Sequence, residues 1–171
     1  LHDYWVWHRG TPLEVTKIET PKAADPWLDL AVLEIEGVKL RPIDMGDAAK
    51  LRKGHVVVAL GNPFAIARDG HVSASLGIVS NLGRKAPPIP DQDSRETLHQ
   101  LGTLIQVDAR LPRGASGGAL INIKGEMVGM TIALAAMAEE QEEAGFAIPA
   151  DATFKSAVKK LVGGQVDQYG Y

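Results

Sequence analysis

A serine stands in a glycine-rich bend, ProArgGlyAlaSerGlyGlyAlaLeu at 112–120, directly after one apolar run and directly before another. A hydroxyl nucleophile has to project from a tight turn to reach a substrate. Glycines on either side of Ser116 permit the backbone angles that let amide N–H groups converge on one point. The chemistry on offer is attack by the Ser116 hydroxyl on an electrophilic carbon. Gly-Ser-Gly clusters are also ordinary turns, so the bend alone leaves both readings open. A serine hydroxyl is a weak nucleophile until a general base takes its proton. The chain has five histidines, His2, His8, His55, His71 and His99. Each reads as a surface or structural histidine, and together they lack the spacing of a metal site. Asp29, ahead of LeuAlaValLeuGluIle, reads on its own as a residue of a turn that starts a strand.

The elements that must position this bend are short and β-rich. Runs at 5–7, 13–18, 28–35, 56–60, 75–80, 104–107, 119–123, 126–132 and 145–149 read as strands. Several are separated by Gly and Pro turn signals at the roughly 8 to 12-residue spacing of a sandwich or barrel. HisArgGly at 8–10 and LysGlyGlu at 124–126 read as hairpin tips. Two stretches break the pattern: the polar, Pro-rich 84–100 reads as a long surface loop, and 134–144 as a loop with at most one helical turn. Phe154, Val158 and Leu161 recur at helical spacing. Asp151 is the expected N-cap and Gly163 the expected stop of a helix over 151–162. The expected fold is all-β with one C-terminal α-helix.

Five blocks, in this order, resemble the HtrA/Deg branch of the trypsin-like serine proteases. They are AspLeuAlaValLeuGluIle at 29–35, GlyAsnProPhe at 61–64, GlyIleValSerAsnLeuGlyArg at 77–84, the serine bend running on through AsnIleLysGlyGluMetValGlyMet, and GlyPheAlaIlePro at 145–149. The resemblance implies a chymotrypsin-like double β-barrel with the active site between the barrels. Its N-terminal barrel would be incomplete in this chain. Residues 1–62 would hold its remaining strands and the connection between barrels, and 63–150 the second barrel with nucleophile and regulatory loops. The helix would follow at 151–162, then a linker at 163–171 toward a PDZ domain. Family catalytic residues come in the order His, Asp, Ser. Carried over by motif, Asp29 orients the base, Ser116 is the nucleophile, and the turn of Gly114, Ala115 and Ser116 forms the oxyanion hole through the amides of Gly114 and Ser116. The base would stand several residues before Leu1, so the natural N-terminus is expected upstream. Substrate-pocket candidates are Met130, Thr131, Ile132 and Ala133, with Gly145, Phe146 and Ala147 opposite. The 130–133 segment would add a strand to an extended substrate. Loops at 64–72, 84–103, 109–115 and 133–144 correspond to regulatory loops. Two departures stand out: Ala115 replaces the usual Asn, and ArgLeuPro at 110–112 stiffens the approach to the bend. With Arg110 rather than an acid at the pocket base, small to medium apolar residues suit the pocket better than Lys or Arg.

Composition narrows the rest. With 18 basic and 21 acidic residues the formal charge is −3, which supplies no field for a phosphate backbone, so no nucleic-acid partner is expected. Having no Cys removes disulfides, thiolate metal sites and a cysteine nucleophile. No apolar run approaches the ~18 residues of a membrane helix, and no membrane contact is expected from this chain. The expected function is a serine endopeptidase that needs neither cofactor nor metal and cleaves unfolded or extended polypeptides. It would work outside the cytoplasm, in a periplasm or equivalent space, and a homotrimer would depend on an N-terminal segment. The alternative is a pseudoprotease that binds peptides without cutting them. Residues 1–171 by themselves are expected to show no turnover of an unstructured protein substrate. Ser116-dependent cleavage by that chain alone would overturn this expectation.

Overall fold

The computed structural model describes residues 5–17, 24–25, 30–62, 66–67, 69–85, 103–111, 114–132 and 145–165. The chain divides into two compact units. One comprises 1–41, 68–71 and 152–171, the other 42–67 and 72–151. In the first unit, β1 (Trp5–His8) and β2 (Thr11–Lys17) form a hairpin in which His8 faces Thr11. Arg9 and Gly10 make the two-residue loop with φ of +48° and +81°, the pair of positive angles that matches the twist of the flanking strands. β3 (Ala24–Asp25) pairs with β4 (Leu30–Ala31), and β5 (Glu34–Ile35) pairs with β2. The run expected as one strand over 28–35 is therefore two. An apolar run carries no sign that its hydrogen-bond partner changes halfway.

The second unit is a closed antiparallel barrel. Its strands are β6 (Val56–Gly61), β7 (Ser73–Arg84), β8 (Leu104–Val107), β9 (Ala119–Asn122), β10 (Met127–Ile132) and β11 (Gly145–Pro149), in the order β10-β11-β8-β7-β6-β9. β6 belongs to this barrel, hydrogen-bonded to β7 and β9, whereas the sequence division placed residues 56–61 in the N-terminal part. β7 is also longer than the expected 75–80. Its register shifts at Val79/Asn81 and at Asn81/Arg84 carry the strand through Gly83, which has φ +73°. Alternate residues face inward: Val57 and Ala59 of β6, Val79 of β7, Ile105 and Val107 of β8, Leu120 of β9 and Ala147 of β11 share one apolar core, which Val128 of β10 joins at a register shift between Met127 and Gly129 that breaks the alternation of that strand. A 3-10 turn, Ala48–Lys50, adds Ala48, with Leu51 beside it, to that core. The β9–β10 hairpin is set by Asn122, whose side-chain oxygen accepts from the amides of Lys124 and Glu126 at 2.9 and 3.0 Å. Its tip lies at Lys124 and Gly125, as expected.

Helix α1 (Ala152–Val162) buries Phe154, Ala157 and Leu161 at helical spacing; Val158 is half-buried. The left-handed residue that ends it is Gly164, φ +70°, one beyond the expected Gly163. The Gln165 amide donates to the Lys160 carbonyl at 2.8 Å and the Gly164 amide to Leu161 at 2.9 Å, the bonding of a Schellman cap.

Two neighbouring glycines before β9 are glycine for different reasons. Gly117 has φ +82° and open space around a would-be Cβ. A Cβ on Gly118 would land on the Leu60 carbonyl oxygen of β6, and its next neighbours would be Thr131 Oγ1 and the Ala115 carbonyl. Backbone cannot yield as a flexible side chain does. In chemical denaturation of the full-length protein, Gly118→Ala is expected to cost about 3 kcal/mol or more. Gly117→Ala is expected to cost about 1–2 kcal/mol, for the left-handed angle alone. The reverse order would refute this account of the turn.

Candidate active site

The bend holding Ser116 lies between the end of β8 and the start of β9. Gly114 at φ +88° and Gly117 at φ +82° bracket the pair Ala115–Ser116. These angles are open to glycine at little cost and are the local reason the chain can reverse here. Ser116 and Gly114 are exposed, while Ala115 is only 4% exposed. Among the described residues the amides of Gly114, Ala115 and Ser116 donate to no acceptor, and an oxyanion hole needs unengaged amides of this kind.

Behind the bend stand two strands. β6 ends at Gly61, where an added Cβ would come within 3.1 Å of the Ala115 Cα, so the turn rests on bare backbone. β10 supplies the ties. The Thr131 amide donates to the Gly118 carbonyl at 2.8 Å, the Gly117 amide donates to the Thr131 carbonyl at 2.8 Å, and the Thr131 hydroxyl donates to the Ala115 carbonyl at 2.5 Å. The Gly118 amide also donates to the Ala115 carbonyl, at 3.2 Å. Thr131 is the one fully buried polar side chain among the described residues.

The pocket candidates fall on two faces. Thr131 stands opposite Ala147, and Gly145 opposite Val107. Directly opposed residues share a face. Ala147 and Val107 belong to the barrel core, so Thr131, Ala147 and Gly145 face inward. Thr131 and Ala147 have no exposed surface and act as core residues rather than as pocket walls. Ile132 pairs with Phe146 and Met130 with Ile148, on the outer face. Of these, Met130 is half-buried, while Ile132 and Phe146 are 5% and 6% exposed. Through Thr131, β10 is bonded on both sides, to β11 and to β9 with its preceding glycines. The edge expected to receive a substrate over 130–133 is therefore occupied as far as Thr131, and pairing can begin no earlier than Ile132.

Asp29, Ala133, His2 and His99 lie outside the described residues, as do 86–102 and 133–144. Of the remaining histidines, His55 closes a local turn, its Nδ1 accepting from the Arg52 amide at 3.3 Å. The exposed His71 donates its amide to Asp69, and His8 ends β1. Among the described residues no three His, Asp or Glu side chains gather as metal ligands would. The residue that sequence reasoning missed is Thr131 as a tie to the bend. No spacing rule links it to a carbonyl sixteen positions away.

A family model for the trypsin-like peptidase domain matches residues 8–130. The periplasmic pH-dependent serine endoprotease DegQ of Escherichia coli (strain K12) is 40% identical over 129 residues, covering 75% of this chain and 26% of DegQ. Serine endoprotease DegS of Haemophilus influenzae is 41% identical over 130 residues, covering 75% of this chain and 35% of DegS. The chain thus spans 26% and 35% of the length of these two relatives. Among solved structures, an HtrA-type protease AlgW with decapeptide superposes with a TM-score of 0.64 at 30% identity, covering 84% of this chain and 40% of that one. A glycine-bracketed serine on a barrel of this topology, a family match over most of the chain, and relatives of one type agree: the chain belongs to the trypsin-like peptidase family, in its HtrA/Deg branch.

Proposed function

We propose that the full-length protein is an HtrA-type serine endopeptidase acting on unfolded or extended polypeptides through an acyl-enzyme at Ser116. The observation that carries this reading is the exposed Ser116 on a turn whose neighbouring amides are unengaged among the described residues and whose carbonyl side is anchored in the barrel. In the first step the Ser116 Oγ bonds to the scissile carbonyl carbon, its proton passes to an imidazole base, and the carbonyl electron pair moves onto oxygen. The amides of Gly114 and Ser116 stabilise that oxyanion. Collapse breaks the C–N bond, the imidazolium protonates the leaving amine, and water repeats the sequence to release the acid. Asp29, at the motif position, holds the imidazole in the tautomer that can accept the proton. None of the described histidines stands at the motif position for that base, so in this reading it comes from N-terminal of the AspLeuAlaVal block.

Relatives named periplasmic serine endoproteases support a polypeptide substrate and an extracytoplasmic site of action. A decapeptide with the solved HtrA-type neighbour supports binding of an extended chain. Among the described residues no helix is long and apolar enough to cross a membrane, which says nothing of membrane β-barrels. The outer-face residues Ile132 and Phe146, with Met130, suit a small to medium apolar side chain before the cut. Ser116→Ala in the full-length protein is expected to reduce casein hydrolysis roughly 10⁴-fold or more and to abolish labelling by a fluorophosphonate. Asp29→Asn is expected to lower kcat by about 10⁴-fold with KM little changed. Undiminished cleavage by Ser116→Ala would sink the proposal. Specific peptide binding by a wild-type protein that neither cleaves nor labels would favour the peptide-binding alternative.

A further inference from the structure

We propose that the Thr131 hydroxyl is a positioning residue for catalysis: by holding the Ala115 carbonyl in the barrel interior, it aims the Ser116 amide outward at the developing oxyanion. The inference rests on the endopeptidase reading and assigns to one buried side chain a role in that reaction. Its first support is burial. Thr131 is 0% exposed, and its hydroxyl donates to the Ala115 carbonyl at 2.5 Å. A buried hydroxyl without a partner is costly, and here it has one.

The second support is the peptide plane. In a trans peptide the carbonyl of Ala115 and the amide of Ser116 point in opposite directions along one rigid plane. Fixing the carbonyl toward the core fixes the amide away from it. Ala115 is 4% exposed whereas Ser116 is exposed, so the plane runs from barrel interior to surface. The third support is that the same residue also ties the chain just after Ser116, its carbonyl accepting from the Gly117 amide and its amide donating to the Gly118 carbonyl. Those backbone ties would survive any substitution at 131. Only the hydroxyl reaches the peptide that carries the Ser116 amide.

Valine has nearly the same shape as threonine and suits the strand, but it lacks the donor. In Thr131→Val the Ala115 carbonyl keeps only the longer 3.2 Å bond from Gly118, and the Ala115–Ser116 plane is free to rock. The full-length protein carrying Thr131→Val is expected to lose about 10- to 100-fold in kcat with KM unchanged, part of the effect of deleting an oxyanion donor. Thr131→Ser, which keeps the donor, is expected to recover most of the loss. In NMR spectra the Ser116 amide is expected to shift in Thr131→Val and to stay near its wild-type position in Thr131→Ser. If Thr131→Val does not fold, Thr131→Ala serves the same comparison. Equal kcat in all three proteins, or an unmoved Ser116 amide, would overturn the proposal. A wild-type protein that neither cleaves casein nor labels with a fluorophosphonate would instead refute the endopeptidase reading. The Ser116 amide shift would then still decide whether Thr131 sets that peptide.

Discussion

The pairing of β6 with β9 closes the barrel, and the serine bend depends on that closure. β6 is bonded to β7 on one side and to β9 on the other, in register from Val57↔Asn122 to Leu60↔Ala119. That register carries the end of β6 under the bend, so that Leu60 and Gly61 become its floor. Contact is backbone to backbone, because neither Gly61 nor Gly118 carries a Cβ to hold the segments apart. A side chain at either place would push the floor and the bend apart, and β10 would lose its grip on residues 115–118. A closed sheet also has no free edge over these residues, so the bend cannot slip in register without opening the barrel.

β10 and β11 divide small and large residues between their two faces. Toward the interior they place Gly129, Thr131, Gly145 and Ala147, a set of small residues that lets the barrel close tightly. A Cβ on Gly129 would already press on Ala147 and the Ile148 carbonyl. Toward the outer face they place Met130, Ile132, Phe146 and Ile148, which are larger; Met130 is half-buried and the other three are buried. Thr131 is the exception in an apolar interior. It is tolerated because its hydroxyl is satisfied, and a satisfied buried polar group fixes geometry in a way that a methyl group cannot.

Features governed by neighbouring residues are legible in the amino-acid sequence. The Arg9–Gly10 and Lys124–Gly125 hairpin tips follow from turn chemistry over two or three positions, and α1 follows from the spacing of Phe154 and Leu161 ahead of a glycine. The serine bend is legible for the same reason, since Gly114 and Gly117 announce its backbone angles. Features governed by distant partners are not. The apolar run after Asp29 gives no hint that β4 and β5 part company, and β7 runs on through Gly83 because β8 is there to bond a bulged strand. The placement of β6 in the second unit likewise depends on strands reached only later in the chain.

The site divides along the same line. Residue types and their order, a serine between glycines and an aspartate before a LeuAlaVal run among five ordered blocks, carried the resemblance to the family, and the bend itself is legible because a tight turn is a local object. Which atoms hold that turn was decided only by the tertiary structure. Thr131 donates to the carbonyls of Ala115 and Gly118 and accepts from the Gly117 amide, joining segments that are remote along the chain. Barrel closure likewise decided which of Met130, Thr131, Ile132, Phe146 and Ala147 face the core and which face outward, since strand alternation sets a period of two but only the partner strands set its phase.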